Sequence, residues 1–295
     1  MIESRSPFSR LSKGLIVLAL ILVAAVCVAP IINTIAISFS DAAQAQAGKV
    51  GLIPKDFTLN AYQRILEDRT FVNSFVISIK RVLIGGGLNM AIIIFMAYPL
   101  SKTRRQFRAR QFYMWLLVFA MLFNGGIIPW YLTIRRLGLI DSFWALVLPC
   151  AVPVYNIILM MNFFRGIPDA LEEAAIIDGA GQLRVLFQVF LPISLPGLAT
   201  IGLFTIVNHW NSFMDGMLLM NTPNKYPLQT YIQQFVVAIN ANDITSVEKL
   251  MELQKISSKT LNGAKIVVAM VPILMLYPFL QRYFVTGLVM GSVKG

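Results

Sequence analysis

The chain has 295 residues, 57% of them hydrophobic and 13% charged, with a formal net charge of +11; its mean hydropathy is +0.70. Soluble domains carry about 25% charged residues, so this composition excludes an ordinary water-facing surface and points to a multi-span membrane protein. The positive charge does not mark a nucleic-acid binder, because the basic residues sit between apolar spans, as Lys- and Arg-rich cytoplasmic loops do.

Residues 14–37, GLIVLALILVAAVCVAPIINTIAI, are long enough to cross a bilayer. The run exceeds the roughly 7–15-residue core of a signal peptide, and no clear A-x-A site follows, so it reads as a retained first span. Arg5, Arg10 and Lys13 precede it and predict a cytoplasmic N-terminus over 1–13. Residues 41–70 are polar and mixed in charge, an outer loop with a short amphipathic helix near Leu59–Leu66. The second span covers about 71–100 and contains Lys80, Arg81, Gly85, Gly86 and Gly87. Its charges must snorkel, face a polar cavity or contact a partner subunit.

The loop SKTRRQFRAR follows. Its Lys102, Arg104, Arg105, Arg108 and Arg110 have no acidic neighbour, which places it in the cytoplasm and is compatible with a contact to lipid phosphate. Residues 112–132 read as a third span, with Trp115 and Trp130 near its ends as interfacial anchors. A short outer loop, RRLGLIDS, leads to a fourth span at 143–164, broken by Pro149 and Pro153. The fifth span runs over about 194–214, an outer loop over 216–262, and the sixth span over 263–283. The pattern predicts an all-α polytopic membrane protein with six spans over 14–286, both ends cytoplasmic and no internal repeat. Cys27 and Cys150 lack motif spacing and read as buried packing residues. His209 is the only histidine, which argues against a His-based metal site or catalytic triad; no catalytic or metal residue is expected.

One cytoplasmic segment stands apart: PDALEEAAIIDGAGQLRVLFQVFLPISLPGLA, from Pro168 to Ala199. Pro168 suits a helix start. Asp169, Glu172 and Glu173 favour the positive end of the helix dipole. Ala170, Ala174, Ala175, Gly179 and Ala180 leave a low-bulk surface that another protein can approach closely, and Gly179 and Gly181 permit a turn. A plain inter-span loop is usually shorter and basic.

Glu173-Ala174-Ala175, Asp178-Gly179-Ala180 and Leu191-Pro192 resemble the EAA loop of ABC importer permeases. The span pattern, HWNSF at 209–213 and the glycine-rich tail extend the resemblance over essentially the whole chain. It is nearest the second permease subunit of the maltose-transporter class, with its MetI-like fold, and within that class to permeases for complex oligosaccharides or polysaccharides. The resemblance implies that the loop at 166–192 is a coupling helix docking in a cleft on an ATPase, with Glu172, Glu173, Ala174, Ala175, Asp178, Gly179 and Pro192 as coupling residues. It implies a second homologous permease, a dimer of ATP-binding cassette ATPases and an external solute-binding protein as partners, in the bacterial inner membrane among its lipids. It also implies that a tail at 287–295, with Gly287, Gly291, Lys294 and Gly295, reaches the ATPase; the plain alternative is a loose chain end.

No G-x-x-x-x-G-K-[ST] phosphate loop occurs, since Lys102-Thr103 and Lys259-Thr260 lack the preceding glycines. ATP and Mg are therefore expected on a partner, and no cofactor on this chain. Asn208, Trp210, Asn211 and Asp215, with Tyr155 and Asn156, combine aromatic faces and amides that suit sugar rings; inter-helical packing is the competing role. Asn162 is a similar candidate. Basic outer residues suit an acidic glycan such as alginate or another uronate polymer, but the outer loops also carry acids. The rival classes are an ion-coupled secondary transporter, which needs a coupling site at membrane depth, and a membrane enzyme.

Overall fold

The computed structural model describes residues 7–234 and 259–292. Among them the regular structure is helical. This follows from composition: in an apolar solvent a backbone must satisfy its own polar groups, and a helix does so within one segment. The chain divides into two compact units, residues 1–69 with 235–270 and residues 70–234 with 271–295.

In the first unit, α1 (Pro7–Ser38) begins before the predicted span and contains Pro30. Its apolar stretch is exposed within this chain from Leu15 to Val28, Cys27 included, while Ala36 and Ile37 at its end are buried. The polar segment after it is well ordered. Asp41 caps α2 (Ala42–Gln46), accepting from the Ala43 N–H at 2.8 Å. Asn33 Nδ2 donates to the Gly51 carbonyl at 2.7 Å. The expected amphipathic helix is α3 (Asn60–Glu67), which buries Ala61 and Ile65. Tyr62 and Ser38 share a hydroxyl hydrogen bond of 2.8 Å. Buried Lys265 pairs with Asp68 at 3.0 Å.

In the second unit, α4 (Arg69–Lys80), a π-helical turn (Arg81–Gly85) and α5 (Gly86–Ser101) form one long span. Its C-terminal half packs on α8 (Val154–Arg165), and Ile93, Ala97, Ile157, Met160 and Phe164 build the core with Ile201 from α12 (Leu195–Asn211). Gly197 is a close-approach site, since a Cβ there would lie 2.7 Å from the Phe163 ring.

Three predicted spans are bent. The third splits into α6 (Arg110–Leu122) and α7 (Ile127–Arg136), inclined at 114°. Asn124 Oδ1 accepts the Gly126 N–H at 2.9 Å, and Gly126 holds φ +85°, so Asn124-Gly125-Gly126 breaks a run that hydropathy alone joins. The fourth opens with two 3₁₀ turns (Phe143–Leu146 and Leu148–Cys150) before α8, with a 47° bend where the prolines predicted a break. Cys150, read as buried, is exposed, because the 3₁₀ turns take it out of the packed interior. The fifth comprises a stretch at 182–193 bent by 84° from α12. Among the described residues three helices are long and apolar enough to cross a membrane, or up to six spans if each bent pair counts as one. At the α7 end, Asp141 accepts from the Asn221 and Thr222 N–H groups and from Lys225 Nζ, the last at 2.7 Å. Lys225 first, then these donors, hold its carboxyl down at about 2.

The final helix, α13 (Lys259–Ser292), runs past the predicted end of the sixth span, so Gly287 and Gly291 are helical rather than loose. Lys294, Gly295, Arg5 and residues 235–258 of the predicted outer loop lie outside the described residues.

The charges in the second span separate. Lys80 is exposed, whereas Arg81 is 1% exposed and forms a buried ion pair with Asp215. Asp215 also accepts from Ser212 Oγ and the Gly216 N–H, each at 2.9 Å. We expect Arg81→Met alone to destabilise the fold by about 3–5 kcal/mol, because it strands a buried carboxylate. Arg81→Met with Asp215→Leu should recover most of that loss. Thermal unfolding of the detergent-purified protein checks both; equal losses in the single and double variants would show that the pair does not act as a unit.

Candidate functional site

The acidic segment forms α9 (Asp169–Ile177), started by Pro168 in an extended conformation with Asp169 and Glu172 in the first turn. Its end is a Schellman motif. The Gly179 N–H donates to the Ile176 carbonyl and the Ala180 N–H to the Ala175 carbonyl, both at 2.9 Å. Gly179 takes φ +79°, the left-handed conformation that this motif places at the position after the cap. Gly181 needs no such freedom, since it lies at φ −73° and begins α10 (Gln182–Val185). A π turn (Leu186–Phe190) and α11 (Leu191–Ile193) complete the segment, with Pro192 exposed.

The two glutamates that the sequence grouped together face opposite ways. Glu173, Ala174 and Asp178 are exposed, and with Ala170 and Ile177 they follow the spacing of one helix face. Ile177 is 84% exposed and Leu183 64%, so the free surface is apolar around an acidic centre. Ala175 is half-buried against the core.

Glu172 is 5% exposed and pairs with Lys102 Nζ at 2.5 Å. Lys102, at the C-cap of α5, is itself buried. Its ammonium sits 4.1 Å from the centroid of the Tyr98 ring and 4.3 Å from that of Phe190. Tyr98, Phe164 and Phe190 contact one another edge to face, which fixes the walls of this cage. The Tyr98 hydroxyl donates to Gln182 Oε1 at 2.8 Å, a second tie between the long span and the acidic segment. Arg110 Nε and Arg165 donate to the Leu100 carbonyl at 2.9 and 3.3 Å. Burial pushes the Lys102 ammonium below the ordinary lysine range, and the hydrogen bond and charge of Glu172, with the charge of Asp169, oppose the shift. Lys102, Tyr98 and Gln182 were not singled out for this role from sequence. Lys102 reads there as one more cation in a basic loop, and only packing distinguishes it.

The residues proposed for a substrate path do not converge. Trp210 is buried and meets Phe75 edge to face at 5.8 Å. Asp215 is committed to Arg81. Asn156 is half-buried, with Nδ2 3.5 Å from Thr205 Oγ1. Asn208, Asn211, Tyr155 and Asn162 are exposed. Among the described residues no cluster of His, Cys, Asp and Glu could hold a metal ion.

A family model described as binding-protein-dependent transport system inner membrane component matches residues 74–289. The chain is 40% identical over 287 residues to the polygalacturonan/rhamnogalacturonan transport system permease protein YtcP of Bacillus subtilis, covering 97% of this chain and 99% of the relative. It is 38% identical to protein LplC of the same organism, covering 92% and 91%. A solved structure of a bacterial ABC transporter involved in the import of the acidic polysaccharide alginate superposes with a TM-score of 0.86 at 34% identity, covering 95% of this chain and 99% of that one.

The inward and outward glutamates should respond differently to neutralisation. Glu172→Gln leaves the Lys102 ammonium without its carboxylate and should loosen the 166–192 segment by about 3 kcal/mol or more. Limited proteolysis in that segment should then be at least about tenfold faster. Glu173→Gln should leave the rate unchanged. Equal rates in the two variants would remove the distinction.

Proposed function

The chain belongs to the family of binding-protein-dependent transport system inner membrane components, and on that premise we propose that it is one of two permease subunits lining the path of an ATP-driven carbohydrate importer. The observation that carries the reading is the exposed face of α9. It is acidic, small and rimmed by apolar side chains, while the opposite face is bolted to the membrane-spanning core through Lys102 and Glu172. Such a helix can pass a displacement into the spans, because the buried tie leaves little slack. An ATPase subunit docks there, and Glu173 meets a basic group in its cleft. Each bent helix pair counts as one span, which gives six, with both termini, the basic loop and α9 in the cytoplasm. The C-terminal end of α13 and the residues after it add a second ATPase contact. The family gives no support to an ion-coupled secondary transporter.

For the cargo we propose an acidic glycan, an oligomer or polymer of uronate. The support is the pair of printed activities, polygalacturonan/rhamnogalacturonan for one relative and alginate for the structural neighbour. Exposed Asn208, Asn211 and Tyr155 remain available to a sugar, whereas Trp210 and Asp215 serve the fold.

Glu173→Lys should release the ATPase from the purified complex while the permease still reaches the membrane. Deleting residues 288–295 should lower transport-coupled ATP hydrolysis with expression unchanged. Co-purification, hydrolysis and uptake at wild-type level in both variants would refute the docking assignment. In proteoliposomes carrying the companion permease, the ATPase and the binding protein, oligogalacturonate or oligoalginate should be taken up in preference to a neutral maltodextrin of equal length. Preference for the neutral glycan would overturn the cargo assignment and leave the permease assignment standing.

A further inference from the structure

The basic loop between α5 and α6 is a built turn. The Thr103 N–H and hydroxyl both donate to Gln106 Oε1, at 2.9 and 3.0 Å. The Phe107 N–H closes back on the Thr103 carbonyl at 3.0 Å, and the Phe107 ring stacks on Tyr113 with centroids 5.9 Å apart. This order holds Arg104, Arg105 and Arg108 outward. All three are exposed, and none has a carboxylate partner among the described residues. Lys102, the cation that reads identically in sequence, is by contrast buried on Glu172.

The turn also has a defined depth. It follows directly on the 33-residue apolar span Arg69–Ser101. On its other side α6 presents Phe112, Trp115, Phe119 and Leu122, which are 68%, 65%, 61% and 79% exposed. These positions form one stripe of the helix and are too large and too apolar to face water together. Three unpaired guanidinium groups at the head of such a stripe lie at the level where lipid phosphates begin.

We propose that the turn at residues 103–108 is a binding surface for the headgroups of acidic phospholipids, with Arg104, Arg105 and Arg108 as the phosphate contacts. A guanidinium presents a planar fork of donors that matches a phosphate, and three on an ordered turn are pre-arranged for more than one headgroup. A docked protein is the competing occupant of a cationic face. The adjoining aromatic stripe favours lipid, because the same surface continues without interruption into side chains that need an apolar solvent.

The test uses the whole complex, reconstituted in nanodiscs of phosphatidylglycerol and phosphatidylcholine, with retained lipid measured by mass spectrometry. The wild type should enrich phosphatidylglycerol. Arg104→Gln, Arg105→Gln and Arg108→Gln should each weaken the enrichment roughly fivefold, and the triple variant should abolish it. The triple Lys variant, which keeps the charge, should retain most of it. The ATPase should stay bound in all of these, which separates failure here from failure of the permease reading. Unchanged enrichment in the triple Gln variant would overturn the proposal. So would displacement of the lipid by millimolar inorganic phosphate alone, or loss of the ATPase in place of the lipid.

Discussion

Lys102 leaves the end of a long apolar span and buries its ammonium against Glu172, between the rings of Tyr98 and Phe190. Two charges taken from water repay their desolvation only when geometry is good and the surroundings are polarisable. The aromatic cage meets that need. It presents two π faces to the cation, and Tyr98 is itself oriented by Gln182 from the partner segment. The arrangement makes the α9 segment an extension of the span rather than a loop hanging from it. A helix tied only by its ends would absorb a push in its own bending. Here the tie enters the first turn of α9 through Glu172, while the C-terminal turn is closed by the Schellman bonds around Gly179.

The Arg81–Asp215 pair solves the same problem at another place. There the carboxylate is satisfied by Ser212 and the Gly216 amide. The π turn that begins at Arg81 inserts an extra residue's worth of rotation into the span. It sits where Gly85 lets the His209 ring approach; a Cβ at Gly85 would lie 2.8 Å from the ring. The local irregularity, the small residue and the buried charge form one packing solution.

The helical character and the helix of the acidic segment were legible because each depends on local pattern: apolar runs of membrane length, acids and alanines at helical spacing, a glycine where the helix must stop. Glu172 and Glu173 were not separable, since adjacent residues on a short amphipathic helix differ in direction only once the neighbouring element is placed. Arg81 and Asp215 are 134 positions apart, and nothing short of the fold joins them. The break in the third span was visible in Asn124-Gly125-Gly126, but a hydropathy window averages across those residues. Cys27 and Cys150 were misread for a related reason. In a membrane protein an apolar neighbourhood in sequence fits a lipid-facing or subunit-facing surface as well as a core.

The surplus of positive charge invites a direct link to an acidic glycan, and the structure weakens that link. Arg81, Lys102, Lys225 and Lys265 are each paired with a carboxylate of this chain. Arg104, Arg105 and Arg108 project from an ordered turn that follows directly on the apolar span Arg69–Ser101. Charges already neutralised at short range exert little field on a polyanion, and charges at the headgroup level are screened beyond about one Debye length. If the cargo is acidic, its selection therefore belongs to hydrogen-bonding groups along the path and to the subunits that share it. Exposed amides such as Asn208 and Asn211 fit that role, because a sugar carboxylate moving through a path must be held weakly enough to leave.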